Sequence, residues 1–230
     1  MDPSSGTVGV TNTGDGTVSV IDIKTLTVTK TIPVSAGPFG IAPAGNLYWV
    51  TNPDAGTVSK VKLKTSSVVS TYSVGGRPTG VAVHPDTLQA FVTKETGGAV
   101  TVIDEYAGGV TATIPVGNSP QGIALNTSFS APVSVANSVD GTVSMIAPGC
   151  NLVTKIIPAG NHPSAIAAVG HRAYVTNPQA NTLTVIDLAA SAVIETIPVG
   201  SKPMGVAAYS GNLAFVANQG DNTVSIIQSS

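Results

Sequence analysis

Cysteine is all but absent from this chain of 230 residues: Cys150 stands alone. No internal disulfide can form, and neither a cysteine-built zinc site nor an iron–sulfur cluster can be assembled from the chain. Cys150 reads as a small residue of the Ala-Pro-Gly-Cys-Asn turn rather than as a reactive thiol. Histidine is nearly as scarce, and His84, His162 and His171 are too scattered for a metal-ligand spacing. Charge is thin: Asp, Glu, Lys and Arg make up 10% of the residues and the net charge is −2. That argues against nucleic acid or an anionic membrane surface as a partner. No apolar run is long enough for a transmembrane helix, so no membrane insertion is expected, and no basic segment followed by an apolar stretch opens the chain. The opening Met-Asp-Pro-Ser-Ser-Gly reads as an added leader, so the missing signal peptide does not fix the compartment. Nucleophile-elbow, zinc-protease, phosphate-loop and dinucleotide motifs are missing as well. No cofactor and no metal are expected.

What is present is a repeat. Hydrophobic residues reach 42%, with 25 Gly and 16 Pro, and three signals recur in phase. An apolar run ends in Val-Thr-Asn or a relative at Asn12, Asn52, Lys94, Asn137, Asn177 and Asn218, in steps of 40, 42, 43, 40 and 41 residues. An alternating run like Thr-Val-Ser-Val-Ile-Asp starts at Thr17, Thr57, Ala99, Thr142, Thr182 and Thr223. A Gly-rich turn carries Pro38, Pro78, Pro120, Pro163 and Pro203. A period near 40 residues made of short strand-like runs and turns is that of an antiparallel blade of about four strands.

The unit that starts at Pro163 shows the pattern. Ala165 to Ala168 reads as an inner strand, Ala173 to Thr176 as the second, Thr182 to Asp187 as the third and Val193 to Val199 as the outer one. Val, Ile and Thr with alternation, bounded by Gly, Pro, Asn and Asp, favour strands over helices. The chain starts in a second strand (Val8 to Thr11) and ends in a third (Thr223 to Ile227). The fold class expected is therefore all-β: one β-propeller domain over residues 1–230, with six antiparallel blades, the first lacking its inner strand and the last its outer one. The alternative is a fragment of a seven-bladed propeller.

Three residues before each Asn marker stand Trp49, Phe91, Tyr174 and Phe215, but Gly9 and Ser134 in the first and fourth copies. Side chains alternate between the faces of a strand, so four blades carry an aromatic wedge on one face. These aromatics are expected in the core, and the gaps at Gly9 and Ser134 are to be filled by neighbours or left as voids.

Tyr174-Val175-Thr176-Asn177, with Pro178 and the following Asn-Thr-Leu-Thr-Val-Ile-Asp and Thr-Ile-Pro-Val-Gly elements, resembles the YVTN family of β-propeller repeats. Trp49-Val50-Thr51-Asn52 and Phe91-Val92-Thr93-Lys94 are variants of the tetrapeptide. The resemblance spans essentially the whole chain and implies a propeller. Related repeats occur in surface-layer and secreted proteins, in lactonase-like enzymes and in cofactor-bearing oxidoreductase subunits. The resemblance thus implies a secreted, periplasmic or cell-surface location but no particular activity, and because the repeat is scaffold it carries over no catalytic residue.

Candidate function rests on the connections. Asp15, Asp54, Glu95, Asp140 and Asp221 fall in the loops joining second to third strands. A calcium ring is one reading of them, and local bonding to turn backbone is the preferred one. His84 in His-Pro-Asp and His171 in Gly-His-Arg are read as turn residues. Around the repeated Pro the flanking positions vary while the frame is kept. Arg77, His162 and Lys202 would set cationic groups near one channel mouth, with Phe39, Gln121 and Met204 beside them, favouring a small anionic ligand or a protein. A non-enzymatic binding or adhesion module is the preferred function, and a lactonase-like or metal-assisted hydrolase and a purely structural surface repeat are the alternatives. The inner strands are almost purely apolar or small, which weighs against a channel metal. The strand from Thr223 leaves an open edge, so self-association through it is expected to be possible.

Overall fold

A computed structural model describes residues 6–125, 132–147, 149–209 and 212–229. The expected leader, Gly6 apart, lies outside the described residues. Among the described residues twenty-two strands form six antiparallel sheets, the blades of a propeller. The first sheet holds Thr7–Asn12 (β1), Thr17–Asp22 (β2) and Thr27–Pro33 (β3). The second holds Ile41–Ala44 (β4), Leu47–Asn52 (β5), Thr57–Lys62 (β6) and Ser67–Ser73 (β7). The third holds Pro78–Val83 (β8), Gln89–Lys94 (β9), Ala99–Asp104 (β10) and Gly109–Pro115 (β11). Pro120–Leu125 (β12), Val133–Asn137 (β13), Thr142–Ala147 (β14) and Leu152–Pro158 (β15) make the fourth. Ile166–Val169 (β16), Arg172–Asn177 (β17), Thr182–Asp187 (β18) and Ala192–Pro198 (β19) make the fifth. The last holds Pro203–Tyr209 (β20), Leu213–Asn218 (β21) and Thr223–Gln228 (β22). The first and last sheets have three strands and the others four, as the sequence pattern leads one to expect. Among the described residues there is no helix.

Contacts group the strands into two compact units. One runs to Thr96 and takes in Val100–Thr113; the other comprises Gly97–Ala99 and the chain from Ile114 onward. The first three sheets belong to the first unit, but for the tips of β10 and β11, and the last three to the second.

One side chain recurs as the clamp of each blade. The Asn that ends the second strand donates its amide to the hydroxyls five and seven residues on. Asn12 bonds Thr17 and Ser19, both at 2.9 Å. Asn52 bonds Thr57 at 3.2 Å and Ser59 at 3.0 Å. Asn137 bonds Thr142 at 3.0 Å and Ser144 at 2.9 Å. Asn177 and Asn218 repeat this with Thr182 and Thr184, and with Thr223 and Ser225. The clamp ties the second strand across its hairpin to the third, so it fixes the register on which the alternation of faces depends. In the third sheet Lys94 and Ala99 replace Asn and Thr, and the buried Thr101 hydroxyl is left without a hydrogen-bond partner.

Within each unit the sheets stack face to face, the wedge side of one on the opposite side of the next. Trp49, fully buried, packs with Ala90 and Val92 of the third sheet, stacks on Tyr72 at a ring separation of 5.4 Å and lies 5.8 Å from the Lys60 ammonium. Tyr174 packs with Ala214 and Val216 of the last sheet. Phe91 is fully buried as well. The gap at Gly9 is filled from the second sheet: a Cβ there would lie 2.7 Å from Ile41 and 3.0 Å from the ring of Tyr48. At Ser134 the facing residue Met145 is buried in the hydrophobic cluster shared with the fifth sheet. Phe215 departs from expectation, being 37% exposed: no further sheet of its unit lies over that face.

Inner strands approach closely where the turn reads Pro-x-Gly. A Cβ on Gly40 would come within 2.2 Å of the Thr79 carbonyl, and one on Gly122 within 2.4 Å of the Ser164 carbonyl, so backbone meets backbone only because no side chain intervenes. Thr51 donates its hydroxyl to the Thr79 carbonyl at 2.7 Å and accepts the Gly40 N–H at 2.7 Å, sewing the inner ends of two sheets together.

Truncating Trp49→Ala should lower the unfolding free energy by about 3 to 5 kcal/mol, since both the apolar transfer term and the cavity term are lost. Urea denaturation reads this directly, and a loss below about 1 kcal/mol would contradict the packing described.

Candidate functional site

Two sets of turns surround the sheets. Three of the third-to-outer hairpins, those of the first, third and fifth sheets, are Asx turns. Asp22 Oδ1 accepts from the N–H groups of Lys24 (2.8 Å) and Thr25 (2.9 Å). Asp104 does the same for Tyr106 and Ala107, and Asp187 for Ala189 and Ala190. The third-to-outer turns close through a residue of positive φ, at Leu26 (56°), Ser66 (53°), Gly108 (76°), Asn151 (54°) and Ser191 (53°). Backbone donation, led by Thr25, holds the carboxyl of Asp22 below the usual range. Ala107 leads for Asp104, followed by the Gln89 amide, and Ala190 leads for Asp187. These turns are structural.

The second-to-third turns and the connections that lead into each inner strand lie next to one another, and acids of the former close on the latter. Asp140 accepts the Asn118 backbone N–H at 2.7 Å and its side-chain amide at 2.8 Å, which lowers its pKa, the backbone bond being the larger cause. Asp221 accepts the Ser201 N–H. In the first unit Glu95 and Asp54 lie 3.1 and 3.6 Å from the guanidinium of Arg77. Four of the five acids read from the sequence are thus bonded locally, Asp54 and Glu95 both to Arg77, Asp140 to Asn118 and Asp221 to Ser201. Asp15 shows no such side-chain bond among the described residues. No group of three or more His, Cys, Asp or Glu is placed to hold a metal among the described residues.

The fifth sheet breaks this rule. Its turn reads Asn177-Pro178-Gln179-Ala180-Asn181, with no acid. Beside it lies a hollow of about 400 Å³ lined by Pro178, Gln179, Asn181, Ser201, Lys202 and Met204. The Asn181 side-chain oxygen accepts the Lys202 backbone N–H at 3.0 Å, holding Lys202 at φ 48° just before Pro203. A left-handed residue before proline is strained by about 1 kcal/mol or more, and Ser119 and His162 share the feature at φ 52° and 54°. Among the described residues neither His162 nor Lys202 forms an ion pair, whereas Arg77 forms two. A second hollow, of about 310 Å³ against β15 and β19, is lined by Lys155 to Pro158 and Ser191 to Val193.

Of the residues singled out from sequence, Lys202 and Met204 come together in one hollow. Gln121 accepts a hydrogen bond from Ser164 at 3.4 Å. His162 is half-buried in the same unit. Arg77 and Phe39 belong to the first unit, Arg77 between its two acids and Phe39 exposed, its carbonyl accepting from Thr11 at 2.8 Å. Gln179, Asn181 and Ser201 were not singled out. Their signal was available, since the fifth copy alone among copies two to six has no acid in its second-to-third turn. His84 is a buried turn residue, its Nδ1 accepting from Asp86 at 3.2 Å and Thr87 at 3.4 Å.

This architecture defines the class as an all-β propeller of six antiparallel blades. The chain belongs to the YNCE-like β-propeller family, whose sequence pattern matches residues 7–128. It is also similar in fold to Kuenenia stuttgartiensis hydrazine synthase, with a TM-score of 0.70 and 16% identity over 100% of this chain and 94% of that one. No curated protein matches it. With 1465 solved chains sharing the likeness, fold alone selects no activity.

The pH dependence of stability follows from the turns. Asp22, Asp104, Asp140 and Asp187 have pKa values lowered in the folded state. Their contribution is therefore complete above the unfolded carboxylate value of about 4 and is lost as pH falls through the folded values. The midpoint of urea unfolding should hold steady above that pH and drop below it, and the triple variant Asp22→Asn, Asp104→Asn, Asp187→Asn should drop less steeply. Equal slopes would refute the assignment.

Proposed function

We propose that this propeller is a non-enzymatic binding or adhesion module, secreted or displayed at the cell surface, that takes a small carboxylate-bearing ligand at the rim of its second unit. The observation that carries the reading is the acid-free turn of the fifth sheet beside Lys202, with Gln179, Asn181, Ser201 and Met204 around the same hollow. An ammonium without an ion-pair partner among the described residues suits an anion. The amide and hydroxyl groups add directional hydrogen bonds, and Met204, 42% exposed, offers apolar contact. Asn181 holds the backbone of Lys202 in place before any ligand arrives, which reduces the ordering cost of binding. The hydrolase alternative finds less support here, because the hollow contains no carboxylate or histidine able to act as a base.

Calorimetric titration with succinate and citrate tests the proposal. Binding should weaken as salt rises and fall about tenfold or more in Lys202→Ala, the loss expected for one charge-assisted contact. Equal affinity of wild type and Lys202→Ala would refute the site, and turnover of lactones by the purified chain would refute the non-enzymatic reading.

A further inference from the structure

One rung of the hairpin between third and outer strands sends an ammonium toward the following sheet, and the two sheets that do so in the first unit differ in what that ammonium meets. In the second sheet the rung is Lys60 with Ser70. Lys60 is buried and pairs with Glu105 of the third sheet, the residue just after β10. In the first sheet the same rung is Val20 with Lys30, and Lys30 reaches the second sheet at the residue just after β6. That residue is Leu63, so the Lys30 ammonium meets a backbone carbonyl instead of a carboxylate. A half-buried ammonium is stabilised more by a formal negative charge than by one carbonyl dipole, and the counter-charge that Glu105 supplies one sheet further on is missing here.

Beside Lys30 lies a hollow of about 340 Å³ lined by Thr7, Lys30, Asn46, Leu63 and Lys64, all of the first unit. It sits at the end of the sheets where the third-to-outer hairpins turn, away from the rim acids. Lys64, which is exposed, brings a second ammonium, and the exposed Asn46 a side-chain amide. The Thr7 hydroxyl is bonded to that of Tyr48 at 3.0 Å, which fixes this wall. Among the described residues neither Lys30 nor Lys64 forms an ion pair. Asp22 pairs with Thr7 across the strands, but its Oδ1 is engaged by the N–H groups of Lys24 and Thr25 and it does not line the hollow.

We propose that this hollow is a second anion site, independent of the one at Lys202, and that it takes a divalent tetrahedral oxoanion, the phosphate or sulfate group of a small ester. Two ammonium groups, Lys30 and Lys64, match two negative charges. Lysine acts as a compact point charge with rotatable donors and lacks the planar fork by which arginine selects a carboxylate, so it suits oxygens that point in several directions. The volume, roughly that of ten waters at about 30 Å³ each, leaves room for the anion and for the group that bears it.

Calorimetric titration with inorganic phosphate and with inorganic sulfate, at constant ionic strength, tests this in the full chain carrying Lys202→Ala, so that the two sites are read apart. One anion should bind saturably. Adding Lys64→Ala or Lys30→Met should each weaken binding about tenfold or more. Lys62→Ala, which removes an exposed ammonium that does not line the hollow, should leave the affinity unchanged. Leu63→Glu should abolish binding, because it gives Lys30 the carboxylate that Lys60 finds in Glu105. If circular dichroism shows that Leu63→Glu does not unfold cooperatively, Lys64→Glu takes its place. Binding of only one of the two anions upholds the site and names the source of the group. No saturable heat with either anion at millimolar concentration overturns the proposal, as does equal weakening by Lys62→Ala. Binding that emerges only when Asp2→Asn is added also overturns it and assigns the hollow to the carboxylate of the chain's own Asp2.

Discussion

The amide of the asparagine closing each second strand, bonded to the hydroxyls five and seven residues on, is the constraint from which the other features of the blade follow. Five sheets keep it. By joining β5 to β6, β13 to β14 and β17 to β18 at a fixed register it decides which side chains of the second strand face which neighbour. A slip of one residue would turn Trp49 and Tyr174 outward and bring Tyr48 and Val175 to the wedge face. Because the wedge sides are then held in place, sheets can stack with buried Val, Ile and Ala between them, and the inner strands can close to backbone contact at Gly40 and Gly122. Each clamp contributes two neutral hydrogen bonds, worth roughly 1 kcal/mol apiece net. Repetition makes that modest term decisive.

Most of this fold is legible in the sequence because a strand has a period of two and a blade a period near 40, and both survive drift. The strand count, the three-stranded first and last sheets and the bounds of the third strand at Thr182–Asp187 all follow from those periods. What the periods do not encode is who fills a gap. Nothing in Gly9 itself announces that Tyr48, one sheet away in sequence, occupies its space. Nor does Phe215 announce its exposure, since its strand pattern is the same as that of buried Tyr174 and only the presence of a covering sheet separates them. The partners of the rim acids were legible as a type of chemistry, local backbone bonding, but not as pairs: that Asp140 reaches Asn118 depends on two loops meeting in space.

The rim is where scaffold gives way to variation. The same pair of turns is closed by Glu95 and Asp54 on Arg77, by Asp140 on Asn118 and by Asp221 on Ser201, and in the fifth sheet the acid is missing. A clamped hairpin keeps such a turn in place whatever residues it carries, so Gln179 and Asn181 are free of structural duty toward an acid and line a hollow with Lys202 instead. Membership of the YNCE-like family accounts for the frame, and the chemistry of the hollow is particular to this chain's fifth copy.

The third sheet offers the most direct test, since nature has already removed its clamp. Lys94 stands where the asparagine belongs and the buried Thr101 hydroxyl has no partner. A double-mutant cycle of Lys94→Asn and Thr101→Val, read by urea unfolding, measures the clamp without creating a cavity. If the asparagine amide is what fixes the hairpin, Lys94→Asn stabilises the protein, Thr101→Val costs more in its presence than in its absence, and the coupling is about 1 kcal/mol. A coupling indistinguishable from zero would contradict the claim that this bond organises the blade.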